Sequence, residues 1–163
     1  MKKVMVVIDE CNSSYDLLIW VLENLKDSIE SSKLLIFAAQ PLLASFTPPS
    51  AFSSSVGCAQ MFFPFSANAE LTWLAREKTK VISMGLLERA KKICADHGIK
   101  AETFTEAGDP KDIICRVVQE HMIDTLIISD QQNRNLTRSF MGGLSGYCSR
   151  NAECTVLVVK RET

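Results

Sequence analysis

Three clusters of residues in this 163-residue chain carry groups able to meet a polar ligand, and each adjoins a short apolar run. Asp9, Glu10 and Cys11 follow the run Lys3–Ile8. Ala39 and Gln40 close the run that begins at Leu34, and Ser129 and Asp130 close the run that begins at Thr125. A carboxylate such as Asp9 can accept hydrogen bonds from ribose hydroxyls or amines, and it suits the start of a simple turn equally well. Between 130 and 150 the charges are Arg134, Arg138 and Arg150 against Asp130, and the stretch runs through Gly142-Gly143 into a helical pattern. Glycines let the backbone approach a ligand closely, and the N–H groups at a helix start favour an anion. Ser145 adds a hydroxyl one turn in, so the ensemble suits a phosphate. The same residues also read as a surface loop with solvated arginines and a flexible Gly-Gly hinge.

Catalytic constellations are missing. His97 and His121 each stand at the end of a helical pattern, with no nucleophile in view, and are read as solvent-facing caps. No Walker lysine motif, GxSxG elbow or HExxH occurs, so no enzymatic turnover is expected. Six cysteines stand at 11, 58, 94, 115, 148 and 154, without CxxC spacing and away from the histidines. That pattern argues against a zinc site and for mostly buried, small apolar side chains. Cys11 and Cys58 fall in predicted loops, which leaves open a rival role as a redox-sensing module, although no clear cation stands beside either thiol.

The elements that must hold these groups follow from hydrophobic periodicity. Lys3–Ile8, Leu34–Ala39, Thr125–Ser129 and Thr155–Val159 are continuous apolar runs, the signature of strands covered on both faces. Ile99–Thr105 alternates, which places it at or near a sheet edge. Ser13 or Ser14 is expected to cap a helix with Leu17, Leu18, Val21 and Leu25 on one stripe. A long helix is predicted from about Ala69 to His97, with Val81, Met84, Leu87, Ala90 and Cys94 inward and Gly98 as its stop. Asp109-Pro110 starts another, with Ile113, Ile114, Val117 and Val118 inward as far as about His121. A last helix is predicted from Gly143 to about Asn151. Strands alternating with helices imply a parallel sheet with helices on both faces.

Composition narrows the function classes. With 47% hydrophobic and 23% charged residues, the chain can bury a core and is not disordered. Lys+Arg 18 against Asp+Glu 19 lacks the basic excess of a general nucleic-acid binder. The longest mostly apolar run, Leu34–Phe46, is interrupted by Gln40, Pro41 and Ser45 and falls short of a bilayer span. Val4–Ile8 meets Asp9 and Glu10 too soon for a signal peptide. A cytoplasmic protein with neither nucleic acid nor membrane as partner is the expectation. One domain over 1–163 is expected too, with an insertion at 40–68 that holds four of the five prolines and Phe46, Phe52, Phe62, Phe63 and Phe65. That insertion reads as a flexible loop, a flap over a ligand crevice or a contact for another protein.

Several segments together resemble one family. The opening KVMVVIDECNSSYDLLIWVLENL (3–25), EAGDPKDIICRVVQEHMIDTLIISD (106–130) and RSFMGGLSGYCSRNAECTVLVVK (138–160) are similar to the universal stress protein A family, plant type, as is the Pro-, Ser- and Phe-rich insertion. The resemblance implies a Rossmann-like five-stranded parallel sheet in the order 3-2-1-4-5. It also implies a stress-response homodimer paired through the last strand, here Thr155, Val156, Leu157, Val158 and Val159, which would cover an apolar edge. One branch of the family binds ATP or AMP through Gly-x-x-Gly, nine residues, then Gly-Ser/Thr. Laid on this chain, the signature falls on Ser129, Gln132, Gly142 and Gly143, so only Gly142 matches. Gln132 disfavours a positive φ where backbone should meet phosphate, at a cost of about 1–2 kcal/mol. The missing hydroxyl at Gly143 removes about 1 kcal/mol more. Affinity is then expected to fall by roughly two powers of ten. Asp9 resembles the family's acidic residue near the nucleoside, and Ala39 occupies the position whose backbone meets adenine in relatives. The expectation is a dimeric, non-enzymatic regulatory module with a weak ATP or AMP site and protein clients at the 40–68 loop. The rival is a competent nucleotide binder in which Arg134, Arg138, Gly142, Gly143 and Ser145 replace the missing glycines.

Overall fold

The computed structural model describes residues 1–40, 65–130 and 143–160, with side chains of the long helix described from 72 onward. The elements in chain order are β1 (Lys2–Ile8), α1 (Asn12–Asn24), α2 (Lys26–Glu30), β2 (Ser32–Gln40) and α3 (Phe65–Asp96). They continue with β3 (Ala101–Ala107), α4 (Pro110–Glu120), β4 (Thr125–Ser129), α5 (Leu144–Asn151) and β5 (Thr155–Val159). The five strands form one parallel sheet in the order β3-β2-β1-β4-β5. Parallel strands need crossovers, and the pleat sends successive side chains to opposite faces. Val4, Val6, Ile8, Leu34 and Ile36 therefore meet α1, α2 and α3 in one core. Met5, Leu35, Phe37, Leu126 and Ile128 meet α4 and α5 in the other. The continuous apolar runs have this cause: β1, β2 and β4 are covered twice.

The alternating segment is an edge strand, as its pattern requires, but it begins two residues later than predicted. Gly98, at φ +74, first turns the chain out of α3, and Ile99 is buried in that turn. At the next helix start, Asp109 caps α4 by accepting from the Lys111 N–H at 2.9 Å, with Pro110 in the first turn. Ile113, Ile114, Val117 and Val118 are buried, as their spacing demands.

Three helical expectations need correction. Val81 and Met84 are 67% and 52% exposed; the buried row of α3 is Ser83, Leu87, Ala90 and Cys94. The predicted and observed rows coincide at Leu87, Ala90 and Cys94 and part only at the N-terminal end, where Ser83 takes the inward position. Neither Ser13 nor Ser14 caps α1: Cys11 holds the cap position with no side-chain bond. α2 was not anticipated, because its five residues carry a single buried apolar side chain, Ile29. His97 is half-buried, its Nδ1 lying 2.8 Å from the Ile93 carbonyl, so it is not a wholly solvent-facing cap. His121 is exposed and stacks on Phe104 at 4.9 Å.

Candidate functional site

At the carboxyl end of the sheet the strand order reverses between β1 and β4: the crossover from β1 leads to β2 on one side, and the one from β4 leads to β5 on the other. Diverging loops open a crevice at such a point. A cavity of about 240 Å³ lies there. Its described walls are mostly apolar, including Ile8, Ala39, Leu86, Ile114, Ile128 and Leu144, and its polar groups include Asp9, Cys11, Ser14, Ser83 and Ser129. An apolar slot with a few convergent polar groups is the usual form of a small-molecule site.

Asp9 is held in place by its own turn. Its Oδ1 accepts from the Cys11 N–H at 2.8 Å and from the Ser14 hydroxyl at 2.5 Å, while the Asp9 N–H donates to Ser14 Oγ at 3.1 Å. The turn that the carboxylate was read as starting is therefore present, and it holds Asp9 at the cavity wall. Ser14 is buried, which is why it serves Asp9 rather than the end of α1. Sequence reasoning assigned it to the cap and so missed it as a site residue; its five-residue distance from Asp9, across a helix start, was the available signal.

Sheet order spreads the predicted residues along a line. Ala39 lies at the β2 side, Asp9 in the middle, and Ser129 with the start of α5 at the β4 side. Gly143 is the N-cap of α5, with φ −94 and no side-chain cap. Leu144 reaches the cavity wall, whereas Ser145 Oγ lies 3.4 Å from Asp130 Oδ1, the carboxylate that also faces Lys160 Nζ at 3.8 Å. The first N–H groups of a helix have no partner within it, so α5 brings partial positive charge to this end of the crevice. Gln132, Arg134, Arg138 and Gly142 lie outside the described residues, as do Cys58 and the 41–64 part of the insertion. The structure thus brings Asp9, Ala39 and Ser129 together and leaves the central part of the glycine signature undescribed.

Cys11 borders the crevice and is half-buried. The other described thiols pack into the two cores. Burial pushes Cys94 up to about 11 and Cys148 up to about 12, and raises Cys115 and Cys154 as well. A thiol so raised is a poor nucleophile. Among the described residues no group of three His, Cys, Asp or Glu could hold a metal ion, and no helix is long and apolar enough to cross a membrane.

Comparison with known proteins places this geometry. A universal stress protein A-like protein of Arabidopsis thaliana is 33% identical over 86 residues, 53% of this chain and 49% of that protein. The chain spans about half the length of the curated relatives it matches. Among solved structures, a universal stress protein family protein of Arabidopsis thaliana with AMP bound superimposes with TM-score 0.63 at 22% identity, covering 100% of this chain and 94% of that one. A universal stress protein in complex with cAMP gives TM-score 0.59 at 16% identity, over 97% and 95% of the two chains. At those identities the likeness speaks for the fold alone. The family match itself runs through residues 1–160, from the first strand to just past the last. On that match, the chain belongs to the universal stress protein family.

Proposed function

We propose that this chain is a non-catalytic binding module that takes an adenine nucleotide weakly at the end of its sheet and acts, as a dimer, on protein partners. The observation that carries the reading is the crevice itself, with apolar walls, an oriented Asp9 at its centre and the start of α5 at one end. A base suits the apolar β2 side, a ribose suits the carboxylate, and a phosphate suits the helix start. The relatives solved with AMP and with cAMP support the ligand class. Weakness is argued from Gln132 and Gly143, which stand where the ATP-binding branch has glycine and a hydroxyl. The contacts assigned in this reading are Asp9, Ala39, Ser129, Gln132, Arg138, Gly142, Gly143 and Ser145. Protein purified and then heat-denatured is expected to release far less than one equivalent of nucleotide, and titrated AMP to bind at about 0.1 mM or weaker. Stoichiometric release would favour the competent binder instead; no binding at millimolar AMP would remove the site.

The dimer is argued from β5. It is an edge strand, and Val156, Leu157, Val158 and Val159 are all only half-buried. An uncovered apolar edge invites pairing with a second copy. Light scattering after size exclusion is expected to report a dimer for the wild type and a monomer for Leu157→Lys; a monomeric wild type would end this part of the reading. Protein clients are assigned to the 40–68 insertion, and a cytoplasmic, plant-type setting is part of the same reading, supported by the resemblance of its segments and by the 33% identity to the Arabidopsis relative.

A further inference from the structure

Only two polar side chains are buried among the described residues, Ser14 and Ser83. Ser14 is spoken for by Asp9. Ser83 is 3% exposed, lines the crevice, and has no hydrogen-bond partner among the described residues. A helical serine or threonine ordinarily satisfies itself on the carbonyl four residues back. Thr79, one turn earlier, does so with Ala75 at 2.9 Å; Ser83 does not. No side-chain oxygen or nitrogen sealed inside the described protein lacks a partner. The Ser83 hydroxyl therefore opens onto the cavity and not into packed side chains.

Its position follows from the buried row of α3. Leu87, Ala90 and Cys94 close the core beneath the helix, and Ser83 is the residue at which that row passes from core to crevice. α3 packs on β2 and β3, so Ser83 stands with Ala39 at the β2 side, across Asp9 from Ser129 and α5. Leu86 packs with the core beneath α3 and Ala39 with the core on the opposite face of the sheet, so this end of the crevice is walled from both faces, and Ser83 borders it from the α3 side.

We propose that Ser83 is a specificity-determining residue of this crevice, its hydroxyl accepting a hydrogen bond from the exocyclic amino group of the bound base. The inference rests on the nucleotide reading above and names the contact that selects the base. In an apolar slot a ligand amine that finds no acceptor stays desolvated and unpaired, so one hydroxyl discriminates between bases that differ by one amino group. In the empty protein the hydroxyl meets the cavity and no protein group, so removing it should cost no stability, which distinguishes this role from a structural one.

The test compares wild type and Ser83→Ala by ligand-observed NMR titration with AMP, adenosine and the purine ribonucleoside monophosphate that lacks the 6-amino group. Ser83→Ala is expected to weaken AMP and adenosine by the same factor, about fivefold to tenfold, and to abolish the wild-type preference for AMP over the amine-free analogue. The melting temperature of the ligand-free variant is expected to equal or exceed that of wild type. Unchanged AMP affinity, a loss seen with AMP but not adenosine, a preference that survives, or a lowered ligand-free melting temperature would each overturn the assignment. Those outcomes leave the nucleotide site standing. A wild type that binds neither AMP nor adenosine at millimolar concentration removes the site and this inference together.

Discussion

Gln132→Gly combined with Gly143→Ser is expected to tighten AMP binding about 100-fold, from about 0.1 mM to the micromolar range. Glycine at 132 restores a residue that adopts positive φ without strain, worth about 1–2 kcal/mol, and lets main-chain N–H groups close on phosphate oxygens. Serine at 143 adds a hydroxyl donor worth about 1 kcal/mol. The described backbone accommodates it: Gly143 has φ −94, an ordinary conformation for a side-chain-bearing residue. Its ψ of −5 is helical, not the extended backbone from which a serine caps, so Gly143→Ser alone should leave the ligand-free stability about unchanged. The two single variants then apportion the gain in affinity between the glycine and the hydroxyl. Calorimetric titration of AMP decides the matter. An unchanged dissociation constant in the double variant would mean that these two residues are not what weakens the site.

The parts of this fold that were legible in the sequence are those with one dominant physical cause. β4 and β5 are found residue for residue, because a strand buried on two faces, or an apolar edge strand, leaves an unbroken run. Asp109-Pro110 fixes α4, since each residue does something only a helix start needs. Strand order came from the family resemblance, because no local pattern says which parallel strands are neighbours. The lining of the crevice was legible where it coincides with strand ends, as at Asp9, Ala39 and Ser129. It was hidden where a residue has two plausible uses. Ser14 has the composition of a cap, yet it is drawn five residues back to a carboxylate. Ser83 has the composition of a helix surface, yet it sits in the buried row, because the wall of a crevice asks for a hydroxyl where a core would ask for leucine. Hydrophobic periodicity sees only the core, so it placed Leu87, Ala90 and Cys94 correctly but extended their row to Val81 and Met84, which face outward.

Asp9→Ala is expected to damage stability and binding together, and the pairing with Ser14 makes the two separable. Alanine removes the acceptor of the Cys11 N–H and of the Ser14 hydroxyl. Ser14 is 2% exposed, so its hydroxyl would remain desolvated with its acceptor gone. Hydrogen bonds to charged groups contribute about 1.5–3 kcal/mol, and an orphaned buried donor costs about 1–3 kcal/mol. A loss of about 2–4 kcal/mol in chemical denaturation follows, a large share of the roughly 5–15 kcal/mol that holds a typical domain. Asp9→Asn keeps an acceptor oxygen and should lose about half as much. Adding Ser14→Ala to Asp9→Ala removes the orphan, so the double variant should recover about 1–2 kcal/mol relative to the sum of the singles. In that double variant the part of the loss that came from the orphaned hydroxyl is removed, while the carboxylate is still absent. AMP binding should therefore stay lost, which attributes the loss to a missing contact and not to a collapsed turn. Strict additivity would show that the short Ser14–Asp9 bond contributes nothing to the fold, and undiminished AMP binding in the double variant would take Asp9 out of the site. The carboxylate thus has to be read as two things at once: the acceptor that lets β1 hand the chain to α1, and the polar centre of the space which that turn leaves open.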